Sequence, residues 1–249
     1  MKKKYIYVLA FLSIGIQSSC DVVQQTATSI LTEPGNGTAN TTPLTNQDVV
    51  SGLKEALTVG IRNAVDITSV QNGFFNNANI KLPFPESADI VRQKAIEWGL
   101  EKQVNDIVLN LNRAAEEASK EAAPIFVNAI KNMSISDGFS ILNGGEGAAT
   151  SFLKNNTTQE LTTAFAPKVQ EAIERVQLTK YWEPVISKYN MAVALTGGER
   201  IEADLNQYVT TKAIDGLFHM VENEENKIRK DPAARVTDIL SRVFGSINN

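Results

Sequence analysis

Cysteine and histidine each occur once in the 249 residues. A single cysteine excludes an intrachain disulfide and any cysteine-rich zinc or iron–sulfur centre. A single histidine excludes a histidine-only metal cluster and leaves His219 as the one candidate for any histidine-dependent triad. Basic charge is also short: 24 Lys and Arg stand against 28 Asp and Glu, a net charge of −4 that argues against general nucleic-acid binding. The chain lacks a Gly-x-Ser-x-Gly elbow and a phosphate loop ending in Gly-Lys-Ser/Thr, so its motifs name no nucleophile. The remaining composition fits a folded domain: 43% hydrophobic and 21% charged residues over a length that can bury a real core.

The first twenty residues read as an address. Lys2, Lys3 and Lys4 precede an apolar run from Tyr5 to Ile16, too short for a permanent membrane span. Gln17-Ser18-Ser19 then leads into the sole cysteine, Cys20. This arrangement resembles a bacterial lipoprotein signal, with Gln17 where that signal usually carries an aliphatic residue. The resemblance implies lipid modification of Cys20, removal of residues 1–19 and a place in the bacterial cell envelope, facing the periplasm. It leaves inner and outer membrane open. The alternative is an ordinary secretory signal that leaves a free thiol. Removal of 1–19 takes three lysines and no acids, leaving 21 basic against 28 acidic side chains, or −7. Such a body does not adhere to anionic headgroups by charge, so the membrane contact expected is the N-terminal lipid.

Residues 20–45 carry the anchor and a Gln-, Gly-, Asn- and Thr-rich tether without helical or strand period. About 25 flexible residues reach roughly 25–30 Å. From residue 46 to 249 the pattern is helical. Asn46 is the expected cap of a helix to about Asp66, with Val49, Val50, Leu53, Leu57 and Ile61 along one side. Ser87 is the expected cap of the next, where Ile90, Val91, Ala95 and Trp98 form a stripe closed by Gly99. A helix from Glu101 carries Val104, Ile107, Val108, Leu111, Ala115 and Ala118, and Pro124 breaks or kinks it before Ile125-Phe126 and Ala129-Ile130 resume. Short helices are expected at 137–143 and 147–154, and longer ones at 159–176 and 179–190, divided or bent by Pro167 and Pro184. Residues 203–230 form a long helix. A last one is expected to start at Asp231 and Pro232, carry Val236, Ile239, Leu240, Val243 and Phe244, and end at Gly245. The fold class expected is all-α: one bundle-like domain of about ten helices.

One stretch is not helical: Phe74-Phe75, then Ile80-Lys81-Leu82-Pro83-Phe84-Pro85. Its prolines favour extended backbone, with alternate apolar residues turned inward. It reads as a buried connector, or as an apolar surface facing a ligand, which makes Phe74, Phe75 and Phe84 the candidate ligand-binding residues.

Several blocks carry a family likeness. They are Asn112-Arg113-Ala114-Ala115-Glu116, Ala123-Pro124-Ile125-Phe126, Ile141-Leu142-Asn143-Gly144, Tyr208-Val209-Thr210, Asp215-Gly216-Leu217-Phe218 and Asp231-Pro232, with Gly73-Phe74-Phe75 and Ile80-Lys81-Leu82-Pro83 ahead of them. Together, over residues 46–245, they resemble an uncharacterised bacterial family of exported proteins, domain of unknown function 4197. The resemblance implies a helical exported or lipoprotein domain and supplies no catalytic residues. It also implies an Asp before Gly73, where this chain has Asn72.

Candidate chemistry is sparse. Asp215, His219 and Glu222 share one flank of a helix, readable as a solvated charged face or as a metal or acid–base cluster; the set lacks the ligands of a recognised motif, and no catalytic residue or metal is assigned. Gly144-Gly145-Glu146-Gly147 opens a helix and reads as a turn, or as backbone N–H groups offered to an anion. Arg113, Glu116, Glu117 and Lys120 read as surface pairs. Arg229 and Arg235 read as carbonyl caps and a partner for Glu225, or as an anion site. No cofactor is implied. Three functions stand as expectations. The first is a lipid-anchored domain that binds an envelope protein or serves a structural role. The second is a carrier enclosing an apolar ligand, which needs a cavity of about 300 Å³ opening near Phe74 or Phe84. The third is a carboxylate-dependent hydrolase with a cleft at Asp215, His219 and Glu222.

Overall fold

The computed structural model describes residues 45–235 together with Ser241, and these contain no strand. The expected export segment, Cys20, the tether up to residue 44 and the last expected helix beyond Arg235 lie outside the described residues, save Ser241. Eight α-helices and two single 3-10 turns are seen among the described residues, against about ten helices expected.

The first helix, α1 (Asn46–Thr68), is capped by Thr45 and not by Asn46. Thr45 Oγ1 accepts the Asp48 N–H at 3.1 Å and the Asp48 carboxylate accepts the Thr45 N–H at 2.9 Å, a reciprocal box that satisfies two otherwise orphaned donors. Ser87 is not a cap either. It lies in a 3-10 turn, Glu86–Ala88, that runs directly into α2 (Asp89–Glu97). Within the α2 stripe Val91 and Ala95 are buried, while Ile90 is exposed.

Next come α3 (Glu101–Ser119), α4 (Ala122–Asn132) and α5 (Ile135–Asn143). Pro124 sits in the first turn of α4, where its missing N–H costs nothing. The sequence expectation fails at α6 (Ala148–Arg175), one continuous helix where two were expected. The helix continues through the Asn-Thr run at 155–158, between the two ranges expected. The polar groups of that run are absorbed by the helix itself: Asn156 and the buried Thr157 donate to the carbonyls of Phe152 and Leu153, each at 2.7 Å. Thr157 extends the buried row Leu153, Leu161, Phe165 and Val169, so packing overrides local preference. Pro167 is on the exposed face, and α6 continues through it. Pro184 is likewise exposed inside α7 (Leu178–Thr196), where Trp182, Val185 and Tyr189 are buried.

Helix α8 (Leu205–Lys230) is the axis of the bundle, packing against α1, α3 and α6. Helices α4 and α5 cover α1 and α6, while α7 and α2 cover α3. The connector between α1 and α2 folds back onto α8. Its reversal needs Gly73, because a Cβ there would stand 2.3 Å from the carbonyl oxygen of Ile67. Gly216 on α8 is the second obligatory glycine: Phe74 fills the space a side chain would take, its Cε1 only 2.6 Å from that position. Phe126 and Phe218 meet edge to face at 5.5 Å in the core.

Candidate functional site: a charged groove on the central helix

Three buried polar nodes hold the walls in place. In the first, Asn112 on α3 treats Leu82 as one strand treats another: its Oδ1 accepts the Leu82 N–H at 2.9 Å and its Nδ2 donates to the Leu82 carbonyl at 2.8 Å. This satisfies an extended segment that has no strand neighbour. Asn190 does the same for Ile201, at 3.0 and 3.1 Å.

The second node corrects the reading of Glu116 as a surface residue. Glu116 is buried; its Oε1 accepts the N–H groups of Phe74 and Phe75 at 3.2 and 3.3 Å, and its Oε2 receives Arg113 at 2.6 Å. Arg113 also donates to Asn72 Oδ1 at 2.8 Å, and Asn72 adopts a left-handed φ of 71°. Glu117 remains at the surface, bound by Lys120 at 2.7 Å and Arg175 at 2.6 Å. Arg113, Lys120 and Arg175 line a cavity of about 460 Å³ where the C-termini of α1, α3 and α6 converge. Two carboxylates and three negative helix ends already answer these cations there, so the cavity does not form an anion site.

The third node is Glu225. Its carboxylate accepts the N–H groups of Ala149 and Thr150 at 3.0 and 2.9 Å and the Thr150 hydroxyl at 2.9 Å. The Gly144–Gly147 turn leads into α6, and the N–H groups offered to an anion are those of Ala149 and Thr150 just beyond it, taken by a carboxylate of the same chain. Arg229 donates to Glu225 at 2.9 Å and to the Ile141 carbonyl at 2.9 Å, while Arg235 donates to the carbonyls of Ile228 and Arg229. Both arginines are thus occupied as caps and pair partners.

Between these supports lies a groove. Successive α-helical residues turn by about 100°, so Asp215, His219 and Glu222 fall within about 60° of one another, opposite the core row of Ala213, Leu217 and Val221. Asp215 and Glu222 are exposed and His219 is half-buried. On one side the connector 79–83 stands across from them, enclosing about 240 Å³ with Asn79, Lys81, Lys212, Asp215 and His219 on its walls. On the other side the first turns of α6 enclose about 430 Å³, lined by Glu146, Thr150, Ser151, Lys154, Asp215, His219 and Glu222, among others. The two cavities share Asp215 and His219 as a common wall. Glu146 is bound by Lys230 at 2.9 Å. Lys81 lies 4.1 Å above the Phe75 ring, and Lys154 lies 5.9 Å from that of Phe218. Asp215, His219, Glu222 and Lys212 make no hydrogen bond or ion pair among the described residues.

The expected ligand-facing aromatics lie elsewhere. Phe74 is fully buried against Gly216, and Phe84 is buried with its ring 5.4 Å from that of Trp182. Phe75 is half-buried beneath Lys81. Neither the 430 Å³ nor the 460 Å³ cavity is lined by any of the three. Among the described residues, no group of three or more His, Cys, Asp or Glu is placed to hold a metal ion, and no helix is long and apolar enough to cross a membrane. Sequence reasoning found the α8 flank by its spacing. It missed Lys212, three residues before Asp215 on the same helix, and it missed Lys81, Thr150 and Ser151, which come from separate segments and carry no local signal.

These features define an all-helical bundle whose central helix opens on a groove of unpaired charge. The chain belongs to the family described as protein of unknown function, DUF4197, whose model matches residues 43–245. No curated protein and no solved structure matches it.

Proposed function

We propose that the protein is a lipid-tethered module of the bacterial cell envelope that binds a partner through the α8 groove. The observation that carries this reading is a contrast in how polar groups are used. Glu116 and Glu225 in the interior are consumed by backbone and arginine donors, and buried Glu224 accepts from Asn63 at 2.8 Å. Asp215 and Glu222, by contrast, are exposed and Lys212 half-buried, and none of the three has a partner among the described residues. The Lys2–Lys4 cluster, the apolar run and Cys20 support the anchor. The test places a photo-cross-linking residue at the exposed groove position Ser151 in the full-length chain, with and without Cys20→Ala. A discrete protein or peptide adduct at 151, absent when the probe is moved to exposed Glu171 on the same helix, together with release of the Cys20→Ala chain from membranes, is the expected result. Identical adducts at both positions, or unchanged membrane retention, overturn it. A lipid adduct at 151 transfers the assignment to a carrier.

A further inference from the structure

We propose that the groove takes a short peptide with free termini, its carboxylate at the Lys81/Lys212 end and its amine at Glu222. The inference rests on the groove being the binding surface and is independent of the anchor. It starts from the segregation of charge along α8. The smaller cavity holds Lys81 and Lys212; the larger holds Glu222 as its unpaired acid, with Lys154 across from it and Glu146 already bound by Lys230, and Asp215 and His219 lie between the two. Lys212 and Glu222 are ten residues apart on one helix, about 15 Å at 1.5 Å per residue. An extended tetrapeptide spans about 13 Å at 3.3 Å per residue, so its two termini meet opposite ends of the groove.

The middle of the groove is polar in the manner a peptide backbone requires. Asp215 accepts, His219 and the Asn79 amide both donate and accept, and the Ser151 hydroxyl does either. Lys154, held over Phe218, limits the net negative charge of the acidic end. Other ligand classes of that length fit less well. A polyamine sets a cation beside Lys81 and Lys212, and a nucleotide or other polyanion sets charge beside Asp215 and Glu222. A single amino acid cannot reach both ends.

The only histidine in the chain supplies the probe, because His219 gives one imidazole signal in an NMR spectrum. The full-length protein in detergent is titrated with tetra-alanine, its N-acetylated form, its C-terminal amide, and di-alanine. Saturable movement of the His219 signal by free tetra-alanine is expected, with each blocked form and di-alanine weaker by about tenfold or more. Lys212→Met removes the preference for a free carboxylate and Glu222→Gln the preference for a free amine. Both residues lie outside the buried core, and an unchanged circular dichroism spectrum confirms folding. Equal binding by the blocked forms, or a His219 signal that does not move with tetra-alanine, overturns the peptide assignment. If a Glu222-dependent adduct still forms at Ser151, the groove stays a binding surface for another chemistry; if that adduct also fails, both readings fall.

Discussion

Glu225 on α8 closes the first turn of α6 by accepting both the backbone N–H and the hydroxyl of Thr150, each at 2.9 Å. A carboxylate 75 residues away thus does the work of a local N-cap, for which Gly147 has no side chain. Because Arg229 shares that carboxylate and reaches the Ile141 carbonyl, one buried ion pair joins the end of α5, the start of α6 and α8. The same pair sets the wall of the groove that carries Thr150 and Ser151.

Glu225→Gln is expected to destabilise the fold by about 3 kcal/mol, since any orientation of the new amide turns an N–H2 group toward a donor and leaves Arg229 without its counter-charge. Urea denaturation should show a lower midpoint, and hydrogen exchange at Ala149 and Thr150 should quicken before global unfolding. Unchanged exchange at those two amides would refute the capping role.

Removing the Asn112 amide strands two buried backbone groups of Leu82 at once. Asn112→Ala should cost about 3 kcal/mol. Asn112→Asp should not rescue it, because the new carboxylate would face the carbonyls of Leu82 and Val108. A stable Asp variant would contradict the pairing of Asn112 with the connector.

Asn72 accepts from Arg113 with a neutral oxygen. Asn72→Asp makes that bond charge-assisted, and Asp tolerates the left-handed backbone, so a gain of about 0.5–1 kcal/mol is expected at neutral pH. The arginine holds the new carboxyl below its unfolded value near 3.9. The gain is therefore present above that value and disappears as pH falls through the folded one. Equal urea midpoints for the two proteins at pH 7 would dismiss the effect.

Tyr208 donates its phenolic hydroxyl to the Pro83 carbonyl at 2.9 Å, and burial, with a smaller push from Glu86, raises its ionisation to about 12. The unfolded phenol ionises near 10, so the contribution is fully present below that pH and is lost as pH rises through about 12. Alkaline titration followed by ultraviolet absorbance should show a late tyrosinate step that Tyr208→Phe abolishes. Persistence of that step would assign it to another of the five tyrosines.

Where the chain alternates apolar and polar residues at helical spacing, structure followed. The rows Val50, Leu53, Leu57, Ile61 and Val104, Ile107, Leu111 face the core, and Gly99 closes α2 with a φ of 74°. Local patterns failed where a polar residue is buried. Nothing near Glu116, Asn112 or Glu225 in sequence shows that their acceptors will meet Phe74, Leu82 or Thr150, because those partners lie 42, 30 and 75 residues away. Pro167 and the gap expected between residues 154 and 159 misled for the same reason: the energy that keeps α6 whole comes from the buried row beside them.

By itself, then, the sequence determined the helical class and the alignment of Asp215, His219 and Glu222, since each depends only on backbone period. Only the tertiary structure decided that two expected helices join into α6 and that the acids at 116 and 225 turn inward. It also decided that Lys81 of the connector and Thr150 and Ser151 of α6 stand beside the α8 acids. These outcomes depend on which surfaces meet, and burial makes any polar group without a partner too costly to keep.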